Sequence, residues 1–233
     1  MIDIPSVTHL HRTCVEQWHR SDFNNPYEGF LHLVCEEHER NFRLWHEEDI
    51  ARSQDVSDSG IAEVKRNIDK LNQQRNDLIE QIDYALIVEL ASDNVEKKRG
   101  ARLNTETPGS VIDRLSILAL RIYHVEEQAD RQDADPQHHD KAKARLAILR
   151  EQHSDLSASL AELLGDLFAG RKRLKLYRQF KMYNDPTMNP YLYASGKSSA
   201  LGGGSVWHGQ ISAREVIVPC LALPQSIMAE QTD

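Results

Sequence analysis

The strongest constraint on the fold is a run of apolar residues at alternating three- and four-residue intervals: Ile61, Val64, Ile68, Leu71, Leu78, Ile82 and Ala85. That spacing lines one face of an α-helix and no face of a strand, and a stripe of this length can be buried only against other helices, as in a coiled-coil-like bundle. The seam predicts a helix over 59–91. Arg75 interrupts it, Asn72 lies beside it, and Asn76, Asp69 and Asp83 flank it.

Four further segments carry helical patterns. Val7, Leu10, Cys14 or Val15, and Trp18 predict a short helix over 4–20, closed by the turn-forming Ser21-Asp-Phe-Asn-Asn-Pro. Pro26 suits the first turn of a second helix reaching Arg52, with Phe30, Leu33, Val34, Leu44, Trp45 and Ala51 on one face. Glu36, Glu39, Arg43 and Glu47 fall on the opposite, solvent side. Thr107 as cap and Pro108 in the first turn start a fourth helix to about 131, apolar almost all round and therefore central. Leu146, Leu149, Leu156, Leu160, Leu163, Leu167 and Leu174, with His153 among them, predict a fifth helix over 137–182.

The expected architecture is an all-α antiparallel bundle of about five helices over 1–186, followed by an extended, low-order tail over 187–233. The tail holds Gly202-Gly203-Gly204 and two strand-like pieces, 205–211 and 216–223, too little for a second core. A formal net charge of -8 argues against a general nucleic-acid binder. Cys14, Cys35 and Cys220 are too few for a disulfide framework or a thiolate metal site, and a cytoplasmic location fits them best. No secretion signal and no membrane-spanning run is visible. A homodimer is compatible with long amphipathic helices.

The candidate chemistry lies where polar residues enter apolar stripes. Glu37, Asn41 and Glu48 fall inside the buried face of the second helix; Asn72, Arg75 and Asn76 lie on or beside the seam of the third. On the fourth, Arg114 and Arg121 share one side, and Asp113 and His124 another. Charged groups cannot be buried without partners, so these residues either satisfy one another in a register-fixing network or line a ligand pocket. As a pocket, Arg75, Arg114 and Arg121 would hold phosphate or carboxylate, and Asn41, Asn72 and Asn76 would read hydroxyls. Glu37, Glu48 and Asp49 are the candidate general bases.

Metal chelation has weaker support. Glu37 and Glu48 stand roughly 16 Å apart along one helix at the standard rise, and the pair His46 and Asp49 would need help from elsewhere. No metal or cofactor is assigned. Asp133, Asp135, His138, His139 and Asp140 read as a solvated interhelix loop. Free N–H groups at Gly109 and Ser110, near Lys97, Lys98, Arg99 and Arg102, form a possible phosphate site, against simple capping. The basic run 171–181 suits a helix C-terminus or an acidic partner.

The blocks Asn41-Phe-x-Leu-Trp-His-x-Glu-Asp49 and Thr107-Pro-Gly-Ser-x-x-Asp-Arg-Leu-Ser-Ile-Leu118 resemble a bacterial family of uncharacterised proteins known only as a domain of unknown function, the likeness extending over about 5–190. Members are often encoded near glycosyltransferases of cell-envelope polysaccharide. The resemblance implies a surface-glycan context but no established activity; joined to the polar pocket, it leads to the expectation of an accessory or binding protein of that biosynthesis, taking a phosphorylated sugar or sugar nucleotide, with a glycosyltransferase or phosphorylated glycan precursor as partner. The alternatives are a metal-dependent hydrolase of a nucleotide-linked substrate and a non-catalytic glycosyltransferase scaffold.

Overall fold

The computed structural model describes residues 2–178 and 187–190, so the predicted tail lies, apart from 187–190, outside the described residues. The described chain is all-α: α1 Ile4–Trp18, α2 Gly29–Arg52, α3 Asp58–Ser92, α4 Pro108–Ala129 and α5 Pro136–Phe168, joined by two-residue strands β1 Arg102–Leu103 and β2 Lys172–Arg173. The helices belong to one compact unit, Met1–Gln179. No described helix is long and apolar enough to cross a membrane.

Local signals set the helix starts. Asp3, Ser57, Thr107 and Asp135 each accept a hydrogen bond from a backbone N–H of the first turn of α1, α3, α4 and α5, and a proline follows three of these caps. α2 differs from the expected start at Pro26. Asn25 instead closes a local turn, its Oδ1 accepting from Tyr27 N–H at 3.2 Å and its Nδ2 donating to the His32 carbonyl at 3.0 Å. Gly29 adopts φ +57, so a continuous right-handed helix cannot extend upstream through it.

α4 is the central helix, as its apolar circumference demands: it packs against each of the other four. Ile112, Leu115 and Leu120 are fully buried there with Val7, Leu10 and Val15 of α1, Val34 of α2, Ile82 and Leu86 of α3, and Leu160 of α5. A smaller cluster of Leu44, Val64 and Ile68 joins the far ends of α2 and α3. Each such side chain contributes roughly 1.5–3 kcal/mol of burial.

α5 stops at Phe168, well short of 182. Arg171 N–H donates to the Asp166 carbonyl at 2.8 Å and Gly170 N–H to that of Leu167 at 3.0 Å, the paired bonds of a Schellman C-cap with Gly170 at φ +65. The chain then turns to pair β2 with β1 in parallel, Arg102 against Lys172 and Leu103 against Arg173. The basic run thus begins past the helix, where Arg171 pairs with Asp166 at 2.7 Å.

Gly170 is required twice over, because a Cβ there would lie 2.0 Å from the Glu96 carbonyl oxygen, whereas one at Gly100, φ +83, would meet nothing. Gly170→Ala is expected to destabilise the chain by about 3 kcal/mol or more in urea unfolding, and Gly100→Ala by about 1 kcal/mol. Equal costs would show that the close approach at Gly170 is not tight.

Candidate functional site

The polar residues of the α2 stripe meet α4. Glu37 and His38 are wholly buried and Asn41 nearly so. Asn41 Nδ2 lies within hydrogen-bond reach of three acceptors, Asp113 Oδ1 and Ser116 Oγ, each at 2.9 Å, and Glu37 Oε1, among which its two N–H groups are shared. Arg75 of α3 reaches in with NH1 3.5 Å from Asn41 Oδ1 and Nε 3.6 Å from Asp113 Oδ1. On the other side, His38 Nε2 donates to the His11 carbonyl at 2.9 Å, so its Nδ1 accepts from the Ser116 hydroxyl at 2.8 Å. Burial pushes the His38 pKa down to about 3, consistent with this neutral tautomer. One hydrogen-bonded line therefore ties α1, α2, α3 and α4.

The remaining predicted site residues fall elsewhere. Asn76 is buried and Asn72 half-buried on α3, but no hydrogen bond joins either to the network. Arg114 and Arg121, expected in the interior, are exposed; one terminal nitrogen of Arg114 donates to both Glu106 carboxylate oxygens, at 2.7 and 2.9 Å. Their places are taken by Asp113 and Ser116. Glu48 is half-exposed and Asp49 exposed, both facing Arg52 at 3.0 and 4.0 Å rather than the bundle interior. The anticipated phosphate site is filled from within: Gly109 N–H donates to Asp83 Oδ1 at 2.7 Å and Ser110 N–H to Thr107 Oγ1 at 3.3 Å.

Space for a ligand lies on the opposite side of α2. A groove of about 590 Å³ runs between α2 and α3, lined among others by Phe23, Arg40, Arg43, His46, Asn67 and Lys70. The Arg43 guanidinium sits 4.2 Å above the Phe23 ring, and Glu39 bonds both Arg40 and Arg43. Neither this groove nor the small one of about 70 Å³ beside β1 and β2 includes Asn41, Arg75 or Arg114.

Beside the groove, three imidazoles converge. Ligand-capable atoms of His19, His46 and His124 all lie within 4.8 Å of one another. Tyr123 stacks on His19 with centroids 4.3 Å apart, and Trp45 on His124 at 4.7 Å. Burial, then the neighbouring His19 and His124, lowers the His46 pKa.

A family model described as a protein of unknown function, DUF4254, matches residues 31–176, more than half of the chain. The chain belongs to this family. No curated protein and no solved structure matches it. The DUF4254 match is narrower than the 5–190 of the resemblance and leaves out α1, with His11 and His19.

Both sequence blocks behind the resemblance sit within the DUF4254 match and meet in the network. In the first, Asn41 is the hub, Phe42, Trp45 and His46 belong to the aromatic cluster, and Glu48 and Asp49 face Arg52. In the second, Thr107 caps, Asp113 and Ser116 complete the network, and Gly109 admits α3: a Cβ there would lie 2.7 Å from the Ile79 carbonyl and 2.9 Å from Asp83. Sequence reasoning missed Ser116, His38 and the grouping of His19 with His46 and His124. The 78-residue separation of His46 and His124 gives no spacing signal.

Burial first, and then the neighbouring Asp113 carboxylate, raises the Glu37 pKa well above the ordinary 4.5 and so favours its protonated form. The folded chain keeps a proton there that the unfolded chain releases, so the group's contribution is fully present below 4.5 and is lost as pH rises toward the folded pKa. Glu37→Gln fixes the uncharged form. It is expected to match the native chain in stability at about pH 4 and exceed it at about pH 8, measured by urea unfolding. A difference that does not change with pH would contradict a protonated Glu37.

Proposed function

We propose that this DUF4254 protein binds a phosphorylated sugar or sugar nucleotide in the α2–α3 groove, as an accessory protein of cell-envelope polysaccharide synthesis. The groove itself carries the reading. Its volume of about 590 Å³ falls in the range of small-molecule sites, which combine apolar walls with a few placed polar groups. The exposed Phe23 supplies apolar surface on which the C–H side of a sugar ring can pack, while Gln74 offers an amide for hydroxyls. Lys70 supplies charge for a phosphate, and Arg40 and Arg43, which share the Glu39 carboxylate in the free chain, would exchange it for the phosphate. The buried polar network supports this site from behind rather than binding the ligand, since Asn41 and Asp113 are occupied by one another and by Ser116 and Arg75.

The polysaccharide context rests on the family resemblance, whose members are often encoded beside glycosyltransferases. In that setting the partner is a glycosyltransferase or its phosphorylated glycan precursor, and the protein works in the cytoplasm where such precursors are made.

A thermal-shift panel of nucleoside-diphosphate sugars, with inorganic phosphate as control, is expected to raise the melting temperature for at least one sugar nucleotide; saturation at about a hundredfold over Kd corresponds to roughly 2.7 kcal/mol. Arg43→Ala and Lys70→Ala should each weaken that ligand about tenfold, or ~1.4 kcal/mol. A panel with no response would favour the scaffold alternative, and a response unchanged by either substitution would remove the ligand from this groove.

A further inference from the structure

The three histidines gathered beside the C-terminal half of α2 come from three helical regions: His19 is the C-cap of α1, His46 lies on α2 and His124 on α4. Their ring centroids stand 5.3, 5.1 and 6.0 Å apart. Two of the rings are fixed at their outer nitrogen. His19 Nδ1 donates to the Val15 carbonyl at 2.7 Å, and His124 Nδ1 donates to Glu127 Oε2 at 2.9 Å. A neutral imidazole that donates from Nδ1 carries a bare lone pair on Nε2. The Nε2 atoms of both His19 and His124 are buried and have no hydrogen-bond partner.

Two unpartnered lone pairs brought into one half-buried cluster are costly as packing alone, since a buried acceptor without a donor has lost its water and gained nothing in exchange. A cation between them removes that cost. The arrangement also has the outer support that metal-binding histidines require, with one ring nitrogen bonded to a carboxylate or a backbone carbonyl to set tautomer and orientation. Tyr123 and Trp45 clamp the ring planes from the sides, at interplanar angles of 16° and 10°.

We propose that His19, His46 and His124 form a transition-metal site of the zinc type, with Glu127 and the Val15 carbonyl as its outer supports. Three imidazoles with neither thiolate nor carboxylate suit Zn²⁺ or its Co²⁺ substitute, whereas Mg²⁺ and Ca²⁺ take oxygen ligands. Tetrahedral zinc at 2.0–2.1 Å from nitrogen holds its ligands roughly 3.3 Å apart. The ligand atoms lie within 4.8 Å of one another, so small ring movements close the shell. Three protein ligands leave a fourth position for water or for an oxygen of a bound molecule. His46 also lines the α2–α3 groove, which makes that fourth position the groove's natural neighbour. The metal site does not depend on the groove's ligand being a sugar nucleotide.

The test uses the full chain, freed of any affinity tag and stripped with a chelator. Zinc alone is titrated by calorimetry, and Co²⁺ alone by its visible absorption. One equivalent of Zn²⁺ should bind, and Co²⁺ should give the intense bands of a four-coordinate site. His46→Ala and His124→Gln, confirmed as folded by circular dichroism, should each weaken zinc at least a hundredfold. Glu127→Gln should weaken it about tenfold or more through loss of its support to His124. The His138→Ala, His139→Ala double variant, changed at two histidines outside the cluster, should bind as the native chain does. Absence of stoichiometric binding, or binding unaltered in His46→Ala and His124→Gln, would overturn the site. Sugar-nucleotide binding is measured separately on the zinc-free chain, so loss of one result leaves the other standing.

Discussion

The amide of Asn41 is the point on which the bundle's register depends. Its N–H groups are shared among Asp113 and Ser116 of α4 and Glu37 of its own helix, while its oxygen meets Arg75 of α3. Apolar packing alone would leave α2 free to slide or rotate against α4, because leucine, valine and isoleucine stripes are tolerant of small shifts. A directional network is not tolerant: a displacement of one residue would strand Glu37, Asn41 and Asp113 in a low-dielectric interior without partners, at a cost of several kcal/mol. Specificity of arrangement is the best-attested use of such buried polar groups. Here the network fixes the placement of α2 against α4, and the placement of everything α2 presents on its outer side follows.

Much of this was legible in the chain, and the failures have physical reasons. The bounds of α3 and α4 followed from periodicity and caps, and the inward phase of Glu37 and Asn41 followed from helical geometry. Their partners did not. α4 is apolar on nearly its whole circumference, so its pattern supplies no unique inward direction, and the arginines Arg114 and Arg121 looked as eligible as Asp113. The structure turns Asp113 and Ser116 toward α2 and leaves both arginines exposed. Glu48 shares the phase of Asn41, yet it is half-exposed and pairs with Arg52 at 3.0 Å: helical phase gives a direction, not the depth of cover at that turn. The overlong α5 arose because residues after Gly170 remain compatible with a helix; the left-handed turn at Gly170 and its paired C-cap bonds end it at Phe168.

The histidine cluster shows a different limit. His19, His46 and His124 occupy unremarkable positions in their own segments, and no motif joins them. Their convergence is a property of how the α1 end, α2 and α4 cross, so it becomes visible only in three dimensions. His19 also stands outside the 31–176 range of the family match, which means that a cluster assembled partly from α1 is not contained in the family's matched core.

α2 thus serves two surfaces that differ only in phase. Glu37 and Asn41, four residues apart, project into the bundle, while Glu39, Arg43, His46 and Ile50, at intervals of four, three and four, line the groove. Hydropathy assigns much of the second stripe to solvent, and a solvated charged face is the ordinary fate of such residues. What distinguishes this one is its setting: α3 stands alongside to make a wall, Phe23 closes over Arg43 at 4.2 Å, and His46 connects the groove to the imidazole cluster. A ligand site needs its contacting side chains held within about half an ångström. On the proposed binding reading, the hydrogen-bonded network on the inner face is what would restrain the outer one, so that a buried polar assembly with no room for a ligand would still bear on binding.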